Sequence, residues 1–385
     1  MNPAQPTIAL VAGEASGDQL GAALVAALRE RHPEARFVGV AGEKMKAAGV
    51  ESWFDASELA VMGLFEVLTH LPRLLKLRRH LGRRLADLRP DVFIGIDAPD
   101  FNLGLEIKLR RAGIRTIHYV SPTVWAWREK RVKKIARAAD RVLCLFPFEP
   151  EFYSGHGVSA TYVGHPLADQ IDADKNPANA RSRLGLDPAA VTVGLLPGSR
   201  LSEVGRLAAP MLEAARLLGD KHPDMQFVAA MSGAEVDQAF GAEMQRAGIP
   251  GVHRVTGDPR GVIAASDVVL CASGTATLEV MLVNRPMVMT YKLAPSTYRL
   301  GQALKLVKLE WFSLPNILAR ERLVPELIQD EATGPRLAAE VRRWLTDEDA
   351  RGALKTRFEE MHAALRCNAA SKAADAVTGL METDS

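Results

Sequence analysis

The chain has 385 residues, of which 48% are hydrophobic and 24% are charged, and its formal net charge is +2. This composition is ordinary for a folded soluble protein, and the length favours two folded domains over one. No apolar run reaches the length of about 18 residues that a membrane-spanning helix needs, and residues 1–11 lack the basic-then-apolar pattern of a secretory signal, so we expect a cytoplasmic protein.

Short β-branched and apolar runs alternate with helical patterns along the whole chain, which is typical of parallel sheets built from βαβ units. The pattern therefore predicts an α/β fold of two Rossmann-like lobes, with five strands in each half of the chain. The predicted strands are Thr7–Ala12, Arg36–Val40, Asp91–Ile96, Arg115–Val120 and Arg141–Leu145, then Val191–Leu196, Gln226–Ala230, Val252–Thr256, Asp267–Ala272 and Pro286–Thr290.

The segment from His165 to Pro188 is polar, contains three prolines and has no clear period, so it is the predicted linker. The predicted domains are an N-terminal lobe over residues 1–165 and a second lobe over residues 189–335. Residues 336–385 have helical patterns without a strand, and they either cap the second lobe or return to the first. Because ligands bind beyond the carboxyl ends of parallel strands, two such sheets facing each other predict a cleft between them.

The first predicted strand is followed by the loop Gly13-Glu14-Ala15-Ser16-Gly17-Asp18. This loop has the position of a dinucleotide fingerprint but not its spacing, and the carboxylates of Glu14 and Asp18 would repel a pyrophosphate. An NAD-type cofactor is therefore not expected. Two interpretations stay open: Ser16 and Asp18 cap the following helix, or Glu14, Ser16 and Asp18 contact a sugar hydroxyl of an acceptor.

An amphipathic, basic helix is predicted over residues 62–88, with Pro72 kinking it or starting a second helix. Residues 70–137 contain 17 Lys and Arg against 6 Asp and Glu, whereas the rest of the chain has 31 against 40. This surplus implies an anionic partner, which is membrane lipid, a phosphorylated substrate or nucleic acid. The helix either packs on the core or contacts a bilayer, and the side chains for that contact are Leu64, Val67, Leu68, Leu71, Leu74 and Leu75.

Two carboxylates follow the third predicted strand. Asp97 and Asp100 have the spacing D-x-x-D, not the D-x-D of metal-dependent sugar transferases, and the three cysteines lie too far apart in sequence for a metal motif. No metal is therefore expected. Asp97 lies at the strand tip, where it suits a proton acceptor that deprotonates an attacking hydroxyl, and Asp100 suits a turn or a helix cap.

The fourth predicted strand leads into a loop with Ser121 and with two tryptophans, Trp125 and Trp127, on either side of one alanine. Ser121 and Trp125 are candidates for the acceptor side of the cleft. The aromatic rings either line a sugar or acyl site or pack within the loop.

The predicted donor site lies in two turns of the second lobe. Backbone N–H groups at Gly198 and Ser199, with the guanidinium of Arg200, suit a diphosphate whose charge grows as it leaves, and a surface arginine is the alternative. After the strand Asp267–Ala272, small residues let the backbone approach a phosphate, and a carboxylate one turn later can bind a ribose diol. The residues of this second turn are Gly274, Thr275, Ala276, Thr277 and Glu279, and Asn316 is a further candidate.

These segments together resemble the lipid-A-disaccharide synthases, a bacterial family of inverting glycosyltransferases with the two-lobed GT-B fold. The matching stretches span most of the chain: LVAGEASGD, GVAGEKM through LAVMGLFEVL, PDVFIGIDAPDFN, TIHYVSPTVWAWREKRV, LLPGSR, ASGTATLE and SLPN. By resemblance, Asp97 matches the family's essential aspartate, Arg200 matches the arginine of its LLPGSR turn, and residues 274–279 match its UDP-binding segment. The family often has Thr where this chain has Ala15.

The resemblance implies transfer of a diacylglucosaminyl group from UDP-2,3-diacylglucosamine to 2,3-diacylglucosamine 1-phosphate, without a cofactor. It also implies attachment to the inner face of the inner membrane, and the oligomeric state, including a homodimer, stays open. One alternative is a non-hydrolysing UDP-N-acetylglucosamine 2-epimerase, which has the same architecture but needs no lipid acceptor. A basic RNA-binding protein is a remote alternative, and because no nucleic-acid motif is present, no nucleic-acid partner is expected.

Overall fold

The computed structural model describes residues 5–59, 64–127, 131–172, 176–249, 251–294 and 310–383. The chain divides into two compact units, one formed by Met1–Asp169 with Leu365–Ser385 and the other by Gln170–Ala364. Each unit contains one parallel sheet with helices packed on it.

The first unit has a seven-stranded parallel sheet of order β3-β2-β1-β4-β5-β6-β7. Its strands are β1 (Thr7–Ala12), β2 (Arg36–Ala41), β3 (Glu51–Asp55), β4 (Val92–Ile96), β5 (Arg115–Tyr119), β6 (Arg141–Cys144) and β7 (Ala160–Tyr162). Its helices are α1 (Ala15–Arg31), α2 (Glu43–Ala47), α3 (Leu64–Leu88), α4 (Pro99–Arg111), α5 (Val124–Trp127), α6 (Val132–Ala138), α7 (Glu149–Ser154) and α8 (Pro166–Gln170), and later α17 (Ala369–Glu382).

Alternate side chains of β1 enter two different cores, because successive residues of a strand point to opposite faces of the sheet. Ile8 and Leu10 pack with residues of α1 and α17, whereas Ala9 and Val11 pack with residues of α3 and α4. Both faces of the sheet are therefore covered, which explains why β1 is a continuous apolar run.

The C-terminal helix α17 belongs to the first unit. Ala373 and Val377 are fully buried in the same core as α1. Its first amides are bound by a carboxylate, because the N–H groups of Asn368 and Ala369 donate to Asp169 at 2.9 and 2.6 Å. This end of α17 is thus fixed by an interaction that suits the positive end of a helix.

The second unit has a six-stranded parallel sheet of order β10-β9-β8-β11-β12-β13. Its strands are β8 (Thr192–Leu196), β9 (Gln226–Met231), β10 (Val252–Thr256), β11 (Val268–Ala272), β12 (Met287–Tyr291) and β13 (Glu326–Ile328). Its helices are α9 (Pro177–Arg183), α10 (Leu201–Gly219), α11 (Ala234–Ala247), α12 (Pro259–Ala265), α13 (Thr275–Leu282), α14 (Leu314–Ala319), α15 (Gly334–Thr346) and α16 (Glu348–Leu365).

Helix α3 continues through Pro72 as one helix, so the predicted start of a second helix there is wrong. Its C-terminal half packs on the core through Leu81 and Leu85, and Leu74 is half-buried while Leu75 is 37% exposed. The side chains of Leu64, Val67, Leu68 and Leu71 lie outside the described residues. In the part of the chain that is described, no helix combines the length and apolar character needed to cross a bilayer.

Each sheet reverses its strand order at one point, between β1 and β4 in the first unit and between β8 and β11 in the second. Chain connections leave these two neighbouring strands toward opposite sides, so a crevice opens beyond their carboxyl ends. The loops that follow these four strands therefore have the position of binding sites.

Candidate active site

The loop after β4 contains two consecutive residues with left-handed backbone, Asp97 with φ 50° and Ala98 with φ 43°. This conformation costs about 1–3 kcal/mol for each non-glycine residue, and it persists only where neighbours fix it. Here the N–H of Asp97 donates to the carbonyl of Tyr119 at 2.8 Å, and Asn102 Nδ2 donates to the carbonyl of Asp97 at 2.8 Å. The bend holds Asp97, which is partly exposed, at the carboxyl edge of the sheet.

The loop after β1 lies against this bend. A Cβ atom on Gly13 would be 3.1 Å from the Cβ of Ala98 and 3.4 Å from that of Leu59. A larger residue at position 13 would therefore separate the two loops. Glu14 and Ser16 are exposed beside this contact, and Glu14 precedes α1 without a capping bond from its side chain.

Asp18 does not have the predicted role. It is 6% exposed, and its two oxygens accept hydrogen bonds from the N–H groups of Gly42, Lys44 and Met45 at 2.9–3.1 Å. Asp18 therefore fixes the first turn of α2, and the predictions that it caps its own helix or contacts an acceptor are wrong. The contact spans more than 20 residues of sequence, so residue spacing did not reveal it.

A buried polar group lies behind the Asp97 bend. Asn102, Glu106 and His118 are fully buried, and His118 Nδ1 is 2.7 Å from Glu106 Oε1. A Cβ atom on Gly95 would meet Glu106 Oε1 at 2.2 Å, so this glycine provides the space for the carboxylate. None of these three residues was predicted to belong to a site. The sequence feature that indicates this group is the spacing of Asn102 and Glu106, two polar residues four positions apart on the buried side of α4.

Ser121 and Trp125 bind other residues of the first unit. Ser121 Oγ lies 3.0 Å from the hydroxyl of Tyr153, and Trp125 Nε1 donates to Glu149 Oε1 at 3.1 Å. The N–H of Phe146 donates to the second oxygen of Glu149 at 2.9 Å. Burial raises the pKa of Glu149 to about 7, although the hydrogen bonds that it accepts oppose this shift. Trp125, in the short helix α5, thus binds a carboxyl group that titrates near neutral pH.

Glu149→Gln is expected to change how the free energy of unfolding depends on pH. The folded state keeps a proton on Glu149 up to about pH 7, whereas the unfolded chain loses it near 4.5, so the wild type loses stability as pH rises through this window. The variant has no ionisable group at this position, so it does not lose stability in this way as pH rises. Between pH 5 and 8 its stability relative to the wild type should therefore increase by about 2 kcal/mol, as measured by urea unfolding.

His165 contributes the opposite slope, because burial lowers its pKa to about 4. That contribution favours the folded state as pH rises from about 4 to 6.5, and it is common to both proteins, so the difference between them isolates Glu149. A difference that stays constant from pH 5 to 8 would show that Glu149 is already ionised in the folded protein at pH 5.

In the second unit, the predicted donor turns line one cavity of about 360 Å³ at the reversal point between β8 and β11. Both turns need glycine, since φ is 113° at Gly198 and 117° at Gly274. Ser199, Arg200, Thr275, Ala276 and Glu279 also line this cavity. The structure therefore brings seven of the predicted donor residues together.

The turn at Gly198 already holds a carboxylate. Glu203 Oε2 accepts from the N–H of Ser199 at 3.1 Å and from that of Arg200 at 3.4 Å. The amide of Ser199, which was predicted to bind a diphosphate, is thus occupied by Glu203, and so is the amide of Arg200. Arg200 itself is 78% exposed, and its guanidinium is 3.8 Å from Glu203. An acidic residue at the third position of α10 was the overlooked sequence signal.

The start of α13 provides amides for an anion. The N–H groups of Thr275 and Ala276 belong to the first turn of a helix, where no intrahelical acceptor exists, and the positive end of the helix dipole adds to them. Glu279, one turn later, lies 3.3 Å from Arg260 Nε. That ion pair orients a carboxylate toward the same cavity.

Thr277 and Asn316 were predicted to bind the donor, but both are fully buried and neither lines the cavity. Thr277 Oγ1 donates to the carbonyl of Gly274 at 2.8 Å and accepts from the N–H of Leu314 at 3.1 Å. Asn316 is fully buried, and its amide group bonds Val324 through both its oxygen and its nitrogen. These bonds leave neither side chain open to the cavity. Among the described residues, no group of three or more His, Cys, Asp and Glu is arranged to hold a metal ion.

Two solved structures have folds similar to that of this chain. UDP-N-acetylglucosamine 2-epimerase from Neisseria meningitidis, bound to UDP-N-acetylglucosamine, matches with a TM-score of 0.64 at 11% identity, over 97% of this chain and all of that one. CalG4, the calicheamicin glycosyltransferase, matches with a TM-score of 0.58 at 16% identity over the whole of both chains. At these identities the likeness shows the fold alone, which is GT-B.

Sequence comparison is more specific. The family described as lipid-A-disaccharide synthetase matches residues 8–377. The lipid-A-disaccharide synthase of Xanthomonas oryzae pv. oryzae (strain MAFF 311018) is 52% identical over 379 residues, which cover 98% of this chain and 88% of that protein. Identity at this level over nearly the whole length shows that the chain belongs to the lipid-A-disaccharide synthase family of glycosyltransferases.

Proposed function

We propose that this protein transfers a 2,3-diacylglucosaminyl group from UDP-2,3-diacylglucosamine to the 6-hydroxyl of 2,3-diacylglucosamine 1-phosphate. The products are a β-1,6-linked disaccharide 1-phosphate and UDP. Family membership supports the reaction, and one observation carries its assignment to a site: the turns at Gly198 and Gly274 line a single cavity beyond β8 and β11. A cavity at this point of a parallel sheet suits a nucleotide.

The donor's diphosphate is assigned to the start of α13 and to Arg200. The amides of Thr275 and Ala276 at the start of the helix favour an anion, and Arg200 supplies a positive charge in the lining of the same cavity. Glu279, oriented by Arg260, accepts hydrogen bonds from the ribose hydroxyls. Arg200 and the α13 amides together stabilise the charge that develops on UDP as the glycosidic bond breaks.

The acceptor side is assigned to Asp97. In a direct displacement, the acceptor's 6-hydroxyl oxygen forms a bond to the anomeric carbon while the bond to UDP breaks, which inverts the configuration. Asp97 takes the hydroxyl proton and UDP takes the bonding electron pair. The left-handed bend at Asp97 and Ala98 supports this role, since strained backbone is concentrated at functional sites.

The reaction is tested by incubating the purified protein with both lipid substrates and measuring UDP release and disaccharide formation. We expect transfer only when the acceptor is present, and the same rate with a chelator, because the residues assigned here supply the positive charge. Conversion of UDP-N-acetylglucosamine alone would support the epimerase instead. Absence of transfer from intact, folded protein with both substrates would refute the proposal.

We further propose that α3 attaches the protein to the inner face of the inner membrane. The proposed contact side chains are Leu64, Val67, Leu68, Leu71, Leu74 and Leu75, and exposed arginines and lysines such as Arg73 and Lys76 follow on the same helix. Exposed leucine with basic neighbours suits the interface of an anionic bilayer. Leu75, 37% exposed, is the described side chain that supports this assignment most directly.

Replacing Leu68, Leu71 and Leu75 with Gln is therefore expected to release the protein from vesicles that contain anionic lipid. Losing three apolar contacts of about 1.5–3 kcal/mol each should lower the bound fraction at least tenfold in a sedimentation assay. The matched control is Leu201→Gln, an exposed leucine on α10 that is 49% accessible. If the triple variant sediments with vesicles like the control, α3 is not the attachment site.

A further inference from the structure

The second unit has a second cavity, which lies at the amino ends of its strands, whereas the donor site lies at their carboxyl ends. It has a volume of about 490 Å³ and is bordered by Val191, which precedes β8, and by Ser266 and Asp267, which precede β11. The donor turns follow the same two strands. The two cavities are therefore separated by the length of a five-residue strand, about 17 Å.

The lining of this cavity is strongly cationic. Arg285 and Arg342 line it together with Arg351 and Lys355, and Asp267 is the acidic residue among the described lining residues. Asp267 is already neutralised, since its Oδ2 accepts from Arg181 Nη2 at 2.6 Å and from the N–H of Thr192 at 2.8 Å. The cations thus outnumber the carboxylates that line the same space.

Two of the arginines are fixed by the protein itself. Arg285 is 4% exposed, and its Nη2 donates to the carbonyl of Ala264 at 2.9 Å. Arg351 Nη1 donates to the carbonyls of Trp344 and Leu345 at 3.0 and 2.6 Å, at the C-terminal end of α15. Their guanidinium groups are therefore held at the cavity by backbone carbonyls, and Arg351 Nη2 also lies 3.5 Å from Glu348 Oε1.

The other two cations complete the site. Arg342 Nε is buried and has no hydrogen-bond partner among the residues that the structure describes. Burial, followed by the charges of Arg285 and Arg351, lowers the pKa of Lys355, although the carboxylates of Asp267 and Glu359 oppose this shift. Gathering like charges in a partly buried cavity is unfavourable without a counter-ion.

We infer that this cavity binds a phosphate group, held by Arg342 and Lys355 over the fixed charges of Arg285 and Arg351. Guanidinium groups match phosphate oxygens bidentately, and the four cations suit the charge of a phosphate monoester or a diphosphate. Leu218, Met225 and Leu345 form an apolar wall beside the cations, which leaves room for an organic substituent on the phosphate. The site is independent of the donor cavity and of the sugar transfer proposed above.

The test is calorimetric titration of the full-length protein with inorganic pyrophosphate while saturating UDP occupies the donor site. We expect one binding event per chain, at least tenfold weaker in the Arg342→Gln, Lys355→Gln double variant, with UDP affinity unchanged. The control is Arg246→Gln on α11, whose arginine is 72% exposed and lies outside this lining. If the double variant does not fold, Lys355→Gln alone tests the site, because Lys355 is exposed. We expect this single variant to bind pyrophosphate at least threefold more weakly than the wild type.

A parallel titration with dihexanoyl phosphatidic acid, which is soluble, distinguishes a lipid phosphate from a free one. The site is supported if either probe binds the wild type and binds the double variant or Lys355→Gln more weakly. The probe that binds identifies the source of the phosphate. If neither probe binds in the presence of UDP, or if the double variant binds both as the wild type does, the inference is overturned.

Discussion

Asp97→Asn is expected to fold like the wild type and to lose about 10²–10⁴-fold in kcat for sugar transfer. Asparagine has the same shape as aspartate and tolerates left-handed backbone, so the bend with φ 50° at this position should be preserved. The hydrogen bonds from Asn102 Nδ2 and to Tyr119 involve only the backbone of residue 97, so they are preserved as well. The side-chain amide of asparagine cannot accept the proton of the acceptor hydroxyl, so the difference in kcat between the variant and the wild type measures the loss of the base.

Steady-state kinetics with both substrates, together with a thermal melt, check this prediction. KM for the donor and the melting temperature should stay within error of the wild type. Asp100→Asn is the matched control, because Asp100 is exposed, three residues away and ion-paired with Arg131. Wild-type turnover in Asp97→Asn would remove Asp97 from the role of base, and a large drop in melting temperature would make its role structural.

Most strands of the two sheets were predictable from sequence because they are buried on both faces, and the exception is β10, a mostly exposed edge strand that was also predicted. All ten predicted strands are present, with ends that differ by at most one residue, as for β1 over Thr7–Ala12. The strands that were not predicted are β3, β7 and β13, which lie at or near sheet edges and are only partly buried. Short edge strands lack the continuous apolar run by which a buried parallel strand is identified.

The positions of the site loops were predictable for the same reason, but the bonds of single side chains were not. A loop that follows a parallel strand is predicted to lie at the carboxyl end of the sheet, and this is where Asp97, Gly198 and Gly274 lie. Asp18, in the loop after β1, and Asn316 were also proposed to contact ligands, yet their side-chain oxygens accept hydrogen bonds from backbone amides of the protein. Such bonds depend on how loops approach one another in space, which a single sequence does not specify.

Arg200→Gln is expected to lower kcat about 10²–10³-fold and to weaken UDP binding about tenfold. Removing one preorganised donor that stabilises developing charge typically has an effect of this size on the rate. The ground state loses less than the transition state, because the negative charge on UDP increases as the bond to the sugar breaks. Since the Arg200 side chain is 78% exposed, the melting temperature should hardly change.

Arg200→Lys separates charge from geometry at this position. Lysine keeps the positive charge but lacks the planar, two-pronged guanidinium, so we expect a loss of rate between those of the wild type and Arg200→Gln. Full activity in the lysine variant would show that a point charge is sufficient. A lysine variant as slow as the glutamine variant would show that bidentate contact is required.

The control for both variants is Arg216→Gln on α10, the helix that Arg200 precedes; Arg216 is 48% exposed and ion-paired with Asp220. This variant also loses one positive charge, but at a residue that does not line the cavity. An effect that it shares with Arg200→Gln therefore reflects long-range electrostatics, which added salt should screen. If Arg200→Gln binds UDP and turns over as Arg216→Gln does, then Arg200 is a surface arginine beside the turn. The diphosphate would then have to be held by the α13 amides of Thr275 and Ala276, without help from the β8 turn.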